Sequence, residues 1–324
     1  MKIQSRHACR LAGLLLIAAL PSAYADVMSL APGASGELLV RNLQTQGMSQ
    51  SSIATPNGAN TGTLAARDAL DRLYFITGST GMQTLQSLTY AVASAPAGLA
   101  LSTNYRVTYA AFDAQRTRVV TLGFDIPLTS AFINAINPST AATTILKPVN
   151  PVWDSYRAGV IAYLAAPNQL YAVGRTGQVS EDSLLRFDLN SAASPLTPVE
   201  FNLAGEVVLA LAAHPTTGVL YGLSTSLSSS ITRLVRFDFS PGFAVVALGV
   251  GDVDCCSVLV GSPAIDVATN SLYAVTRKNN DPARLRRFNL STGVITERGT
   301  TVTAGLFADP TPPLFDRIFA NGFD

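Results

Sequence analysis

The feature that most constrains the fold is a repeat of about fifty residues that runs through most of the chain. A Leu-Tyr pair or its equivalent recurs at Leu73-Tyr74, Val119-Val120, Leu170-Tyr171, Leu220-Tyr221 and Leu272-Tyr273. A second motif, an apolar residue followed by Asp or Asn at a turn, keeps step with the first, at Ile136-Asn137, Phe187-Asp188, Phe237-Asp238 and Phe288-Asn289. A unit that returns at constant spacing predicts a repeat architecture in which each module packs on its neighbours.

Each period contains about four short apolar runs, as expected for β-strands. In the best-marked period, Val219 to Leu223 and Leu234 to Phe239 are rich in Val, Leu and Phe, and turns containing Pro and Gly flank them. Helical periodicity is absent from any long window after the N-terminal segment. The sequence therefore predicts an all-β fold, a β-propeller of about six four-stranded blades, with five or seven blades as the alternatives.

The two ends of the chain are expected to share one blade. Leu38 to Leu43 resembles the third-strand motif, but no first or second strand is recognisable before it. Near the C-terminus, Phe307 to Thr311 and Leu314-Phe315 are similar to the first-strand and second-strand motifs around His214 and Leu220. We therefore expect C-terminal residues to supply the missing first and second strands, which would close the ring.

The resemblance to known propellers covers residues 36 to 302. The Leu-Tyr and Arg-Phe-Asp-Leu motifs resemble those of bacterial envelope propellers to which no activity is assigned, and of the broader group that includes kelch and WD repeats. The chain lacks the Gly-Gly doublet of kelch repeats and the Trp-Asp dipeptide of WD repeats, so no activity is transferred. Residues Phe315 to Asp324 are similar to a short Ile-Phe-x-x-Gly-Phe-acid tail of exported Gram-negative proteins, which implies a processing or sorting role. The expected organisation is a repeat domain over 26–315 and a tail over 316–324.

The N-terminus predicts export from the cytoplasm. Lys2, Arg6 and Arg10 precede the apolar run Leu11 to Leu20, and the small-residue site Ala23-Tyr24-Ala25 follows. This pattern is typical of a secretory signal peptide over residues 1–25. The mature protein is then periplasmic or extracellular, and no transmembrane helix is expected, because no later segment reaches roughly 18 unbroken apolar residues.

Charge argues against nucleic acid as a partner. The chain has 22 Lys and Arg and 21 Asp and Glu, and removal of three basic residues with the signal leaves 22 − 3 = 19 against 21. Binding to phosphates requires clustered Lys and Arg, and the sequence shows no such cluster. The remaining partner classes are proteins and glycans.

Two cysteines remain after the signal, Cys255 and Cys256, and they are adjacent. In an oxidising compartment they are compatible with a vicinal disulfide, with a disulfide between chains, or with two buried thiols. A vicinal bridge would stiffen one loop without joining distant parts of the fold.

No catalytic or metal-binding residue is assigned from the sequence. His214 is the one histidine after the signal, and it precedes Leu220 by six residues, a position taken by Arg67, Asp113 and Asp266 in other repeats. We interpret it as a polar residue that opens a turn. Histidine-based zinc or copper sites are excluded because several histidines are required.

Acidic and amide side chains offer two further hypotheses. Asp252 and Asp254 could contribute oxygen ligands to a calcium ion. Asn279 to Asp281 does not complete a calcium loop, and no other feature of the sequence supports this cofactor. A solvated loop is the alternative interpretation. The recurring Asp188, Asp238 and Asn289 are expected to cap turns through their side-chain oxygens.

Basic and aromatic residues give weaker signals. Arg186, Arg236 and Arg287 recur in phase and either form a ring on one face or lie singly on the polar side of each strand, with their stems on apolar neighbours. Trp153 is placed in a loop between blades, where it could contact a ligand, and is interpreted as a core or inter-blade packing residue.

Two functions from different classes are compatible with these observations. The first is a non-catalytic binding or interaction scaffold of the cell envelope, favoured because the sequence shows no assembled catalytic set. The second is a propeller enzyme such as a calcium-dependent, lactonase-like hydrolase. It requires acidic and amide side chains from several blades to converge on one ion.

Overall fold

The computed structural model describes residues 28–32, 37–42, 51–54, 65–67, 72–77, 83–89, 97–101, 106–125, 130–150, 155–175, 182–252, 258–267, 269–277, 284–301 and 306–308. Every regular element in these ranges is a β-strand.

The described strands extend from Met28 to Ala308. The first seven are β1 (Met28–Pro32), β2 (Glu37–Asn42), β3 (Ser51–Ala54), β4 (Ala65–Arg67), β5 (Arg72–Thr77), β6 (Thr84–Thr89) and β7 (Ala97–Ala100). The next eight are β8 (Arg106–Asp113), β9 (Arg118–Phe124), β10 (Ala131–Ile136), β11 (Thr143–Val149), β12 (Ser155–Leu164), β13 (Gln169–Arg175), β14 (Ser183–Asp188) and β15 (Val199–Asn202). The last nine are β16 (Glu206–Ala213), β17 (Leu220–Ser226), β18 (Thr232–Asp238), β19 (Ala244–Asp252), β20 (Val258–Asp266), β21 (Ser271–Arg277), β22 (Arg284–Asn289), β23 (Ile295–Thr301) and β24 (Leu306–Ala308).

The strands form antiparallel four-stranded sheets that repeat along the chain. Strands β8–β11, β12–β15, β16–β19 and β20–β23 each form a separate sheet, hereafter a blade, in which consecutive strands are neighbours. The first strands lie side by side in the cyclic order β4, β8, β12, β16, β20, β24 and back to β4. This arrangement is a β-propeller, as the repeat predicts.

The remaining eight strands form one sheet with the order β3-β2-β1-β24-β4-β5-β6-β7. Its one parallel contact joins β24 to β4 through the pair Ala308 and Ala65. Division at that contact gives two further groups of four strands, β24-β1-β2-β3 and β4–β7. Four complete separate blades plus these two groups are the basis on which we retain the prediction of six blades.

Ring closure differs in one respect from the sequence prediction. Strand β2 occupies the third position of its group, as the motif at Leu38 to Leu43 predicts, and β24 supplies the first strand. The second strand is β1, at Met28–Pro32, and does not come from the C-terminus. The prediction missed β1 because that strand carries no Leu-Tyr pair. Leu314 and Phe315 lie outside the described residues.

The core lies between the blades because each sheet is apolar on both faces. Along β13, Leu170 and Ala172 pack in one buried cluster with residues of the preceding blade. The alternating residues Tyr171 and Val173 pack in a second cluster with residues of the following blade. Successive side chains of a strand point to opposite faces, so one strand serves two interfaces. No blade can bury both faces without its neighbours.

The turns between first and second strands repeat the same backbone conformation. In the four separate blades, a residue with positive φ lies two positions before the second-strand motif: Thr117 (φ 48), Asn168 (φ 54), Gly218 (φ 68) and Asn270 (φ 47). Asn and Gly are the residues that favour this left-handed region, whereas a β-branched threonine is strained there. We call the end of the blades that carries these turns the turn end, and the opposite end, where the first strands begin, the entry end.

Candidate binding site

His214 opens a turn, as the sequence predicts. Its Nδ1 accepts hydrogen bonds from the backbone N–H groups of Thr216 at 3.4 Å and Thr217 at 3.3 Å. Burial lowers the pKa of His214, which favours the neutral ring that this acceptor role requires. The residues that occupy the same position in two other blades, Asp113 and Asp266, are completely buried. His214 is therefore a turn residue in the described structure.

The equivalence proposed for Arg67 is wrong by one residue. Arg67 pairs directly with Leu73, whereas the partner of Leu220 is Ala213, the residue before His214. The first turn of the β4–β7 group is one residue shorter than the turn after β16. Counting back from the Leu-Tyr motif therefore reaches the wrong register position.

Two of the three recurring acidic and amide residues cap turns. The Asp188 Oδ1 accepts a hydrogen bond from the backbone N–H of Asn190 at 3.0 Å. The Asn289 Oδ1 accepts from the N–H groups of Ser291 and Thr292, both at 2.9 Å. These contacts confirm the capping role predicted for both residues.

Asp238 does not follow this pattern. Its two carboxylate oxygens accept hydrogen bonds from Nε and Nη2 of Arg236, at 2.7 and 2.8 Å. Pro241 occupies the position three residues on and offers no N–H, while the nearby guanidinium provides two charge-assisted bonds. The capping prediction for Asp238 is therefore wrong.

The recurring arginines do not form a shared site. The guanidinium of Arg186 lies over the ring of Phe201, 5.4 Å from its centroid. Arg287 donates from Nε to the Ser271 Oγ at 2.8 Å, and Arg236 is held by its own carboxylate partner, Asp238. Each guanidinium contacts residues of its own blade. The structure thus supports separate positions for the three arginines and does not support a ring of arginines on one face.

Several residues named in the sequence analysis lie outside the described residues. They are Trp153, Asp254, Cys255, Cys256 and the segment 279–281, together with the signal segment 1–25 and the tail 316–324. The vicinal disulfide and the calcium-ligand hypothesis for Asp254 remain predictions. Asp252 ends β19 at the entry end.

A buried polar cluster that sequence reasoning missed lies at the turn end. The Asp113 side chain is fully buried, and its Oδ2 accepts hydrogen bonds from Arg118 Nε at 3.0 Å and Arg116 Nη1 at 3.3 Å. Its Oδ1 accepts from the backbone N–H of Arg116 at 3.3 Å. Two guanidinium groups thus compensate a carboxylate that would be unfavourable to bury alone.

The same cluster joins two blades. The hydroxyl of Tyr163 lies 2.9 Å from Asp113 Oδ2 and 2.8 Å from Asn168 Oδ1. Arg118 Nη2 donates to Asn168 Oδ1 at 3.1 Å. Burial, with a contribution from the Asp113 charge, raises the pKa of Tyr163 to about 12, so the hydroxyl keeps its proton and acts as a donor. We call Asp113, Arg118, Tyr163 and Asn168 the inter-blade clasp. Its polar groups bond to one another, to Arg116 and, through Asn168 Nδ2, to Asn190.

A second cluster lies at the entry end of the β16–β19 blade. Glu206, the first residue of β16, accepts a hydrogen bond at its Oε2 from Ser224 Oγ at 2.5 Å and pairs through Oε1 with Nη2 of Arg233. The Arg233 side chain is 29% exposed and that of Glu206 is 11% exposed. The Nε of Arg233 is buried and has no hydrogen-bond partner among the described residues. Arg284 and Thr276 take the register positions of Arg233 and Ser224 in the β20–β23 blade, but Glu206 belongs to neither repeated motif, so the sequence spacing did not mark the cluster.

Two large apolar side chains are exposed at the same end of this blade. Leu227, in the hairpin between β17 and β18, is 65% exposed, and Val250, near the end of β19, is 91% exposed. Gly249 and Gly251 flank Val250 with φ values of 72° and 75°, a region that disfavours other residues. A Cβ on Gly251 would lie 2.6 Å from Ile231 Cγ2. Val250, the most exposed of the large apolar side chains in the described residues, thus lies between two glycines of left-handed conformation. We call the entry-end cluster together with Leu227 and Val250 the entry-end surface.

Two general properties of the described residues bear on chemistry. No group of three or more His, Cys, Asp or Glu side chains in these ranges is placed to hold a metal ion. None of the described segments is a helix of the length and apolarity needed to cross a bilayer.

Comparison with known proteins identifies the fold. No family model matches the chain, and no curated protein matches it. Among solved structures, a chain from a nidogen/laminin complex aligns with a TM-score of 0.60 and 11% identity, over 89% of this chain and 99% of that one. TolB from Acinetobacter baumannii aligns with a TM-score of 0.52 and 13% identity, over 84% of this chain and 68% of that one. A putative 6-phosphogluconolactonase from Bacteroides fragilis aligns with a TM-score of 0.53 and 12% identity, over 86% and 82%. At these identities the likeness shows the β-propeller fold alone.

Proposed function

We propose that this chain is an exported, non-catalytic propeller that binds a protein partner of the cell envelope through its entry-end surface. The observation that carries the proposal is the exposure of two large apolar side chains at the entry end of the β16–β19 blade. Leu227 is 65% exposed, and Val250, which lies between two glycines of positive φ, is 91% exposed.

Exposed apolar side chains at one end of a blade are suited to contact with a partner protein. Burial of apolar side chains such as Leu227 and Val250 against a partner is favourable, and clustered exposed apolar groups mark interaction surfaces. The neighbouring Glu206 and Arg233 supply charges for orientation, which commonly surround an apolar contact region. The nidogen/laminin structure shows that a propeller of this fold occurs in a protein complex.

Position-specific photo-cross-linking in living cells tests the partner-binding proposal. A photoreactive aromatic amino acid placed at Leu227, and separately at Val250, is expected to give a discrete adduct of higher mass after illumination. The matched control position is Ala192, which is exposed at the turn end. Adducts at Ala192 alone, or equal adducts at all three positions, would contradict the proposal.

Export is a separate part of the proposal, supported by the order of charged, apolar and small residues in segment 1–25. N-terminal sequencing of the protein recovered from outside the cytoplasm is expected to begin at Asp26. Ala23→Phe should leave the precursor uncleaved, because processing requires small residues at this position, whereas Tyr24→Phe should be processed normally. A mature start elsewhere would contradict this assignment.

The hydrolase alternative is tested on the same purified protein. Elemental analysis of residues 26–324 is expected to find no stoichiometric calcium. One calcium per chain, combined with hydrolysis of a lactone that stops on chelation, would favour the enzyme over the scaffold.

A further inference from the structure

The strongest unassigned feature of the described chain is a pair of buried polar side chains in the β8–β11 blade. Thr121 and Asn134 are 0% and 1% exposed and lie directly opposite each other on β9 and β10. The Thr121 Oγ1 and both polar atoms of the Asn134 amide have no hydrogen-bond partner among the described residues. Buried polar atoms in proteins are almost always paired, so this group of three atoms requires an explanation.

The pair faces an apolar interface. Phe112, which is paired with Val119, stacks on Tyr74 of the β4–β7 group with ring centroids 5.5 Å apart. Thr121 lies two residues after Val119 and so points to the same face, toward that neighbouring group. The described residues of that group in the same core cluster are Tyr74, Ile76 and Leu85. The aliphatic members offer no hydrogen bond to Thr121 or Asn134.

The sheet is also irregular at this point. Ile133 pairs with Lys147, but the next residue, Asn134, pairs with Ile145, so the strand β11 carries one extra residue here, Leu146. Such a bulge disrupts the regular ladder and bends the strand. On the other side of Thr121, the paired residue on β8 is Ala110, whose small side chain fills little volume. The orphaned polar atoms and the bulge therefore occur at the same place.

The corresponding pair in the next blade is apolar. By strand register, Ala172 and Leu185 take the positions of Thr121 and Asn134, and both are completely buried. The propeller therefore does not require polar groups at this level of the interface. In the β20–β23 blade the same positions are taken by Ala274 and Arg286, and Arg286 Nη1 donates to Thr276 Oγ1 at 2.7 Å. Thr121 and Asn134 differ in that their polar atoms have no hydrogen-bond partner among the described residues, which indicates a local ligand.

We propose that Thr121 and Asn134 hold ordered water in the interface between the β4–β7 group and the β8–β11 blade. The amide offers a donor and an acceptor and the hydroxyl can act as either, and water matches both kinds of group. An ion does not match: a cation would face the Asn134 Nδ2 donor, an anion would face the Oδ1 acceptor, and the apolar surroundings oppose an uncompensated charge. Buried waters of this kind make two to four hydrogen bonds to otherwise unpaired groups.

A crystal structure of residues 26–324, at a resolution that shows ordered solvent, tests the proposal directly. The expected result is water density within about 3.2 Å of a polar atom of Asn134, with the same or a second water near Thr121 Oγ1. A dry interface in which the Asn134 amide bonds directly to Thr121 or to a protein carbonyl would overturn the proposal.

A solution measurement supports the crystal test independently. Magnetic relaxation dispersion of water oxygen counts long-lived internal waters, and the double variant Thr121→Ala/Asn134→Leu installs the pair found in the next blade. We expect the count to fall by at least one relative to the native protein. The control Ser139→Ala removes a hydroxyl at an exposed turn and should leave the count unchanged. An unchanged count in a folded double variant would overturn the proposal; if that variant does not fold, the crystal test alone decides.

Discussion

The hydroxyl of Tyr163 lies 2.9 Å from the buried Oδ2 of Asp113, a residue of the preceding blade. This contact joins two repeats that are also held together by apolar packing and by the bond from Arg118 to Asn168. Removal of the hydroxyl by Tyr163→Phe is expected to lower the free energy of unfolding by about 1.5 to 3 kcal/mol, the range for a bond to a charged group. Urea denaturation measures the change.

The matched control is Tyr171→Phe, because the Tyr171 hydroxyl donates to the Gln169 Oε1 at 2.9 Å within the same strand. That bond is between neutral groups, and we expect a loss of about 1 kcal/mol or less. An equal effect of the two substitutions would show that the inter-blade clasp adds nothing specific.

The pH dependence of the same pair follows from the raised pKa of Tyr163. Its folded pKa of about 12 lies above the ordinary value of 10.0. Deprotonation therefore begins in the unfolded chain first, so the stabilising contribution is complete below pH 10 and is lost as pH rises toward 12. The stability difference between the native protein and Tyr163→Phe should shrink over this window. A difference that stays constant from pH 9 to pH 12 would contradict the assignment.

Thr117 offers a stabilising substitution. It adopts φ 48 in the turn between β8 and β9, where the equivalent residues of the next blades are Asn168 and Gly218. Thr117→Asn is expected to raise the free energy of unfolding by about 1 kcal/mol, because it relieves strain on a β-branched residue. Thermal unfolding measures the gain. The reverse exchange, Gly218→Thr, should destabilise the protein, because a threonine is strained at φ 68. An added Cβ would meet nothing within 4 Å, so the effect comes from the backbone alone. A destabilised Thr117→Asn would contradict the argument.

Ring closure depends on β24, whose residues Leu306 to Ala308 pair with β1 and reach β4. A chain that ends at Gly305 should unfold at a clearly lower temperature, or fail to fold, because β1 and β4 lose their shared neighbour. A chain that ends at Phe315 keeps β24 and lacks the proposed tail 316–324, so its melting temperature should match the full mature protein. Equal melting of the two truncated chains would contradict this closure.

The repeat could be predicted from the sequence because the same physical demand recurs in every blade. The Leu-Tyr motif marks a strand with both faces buried, and Tyr171 and Val173 show this directly. The turn-opening role of His214 was predictable for a similar reason, since Asp113 and Asp266 take the same register position in two other blades. Features that recur in every blade can be recognised as a repeat within a single sequence.

The candidate site could not be predicted because its contacts form only when strands and blades come together. Glu206, Ser224 and Arg233 meet through cross-strand pairing, which sequence spacing alone does not reveal. Tyr163 reaches Asp113 across an interface between blades, so the two are neighbours only after the ring has formed. The error at Asp238 has a similar origin, because Arg236 competes for its carboxylate two residues away.

The position of β24 also determines when the molecule can be completed. The innermost strand of the first group is the last strand of the described chain, so a ribosome must pass Ala308 before the ring can close. Until then the nascent chain carries unpaired strand edges on β1 and β4, which are sites of unwanted association. A chain of this protein therefore needs chaperone protection until Leu306 to Ala308 can pair beside β1 and β4.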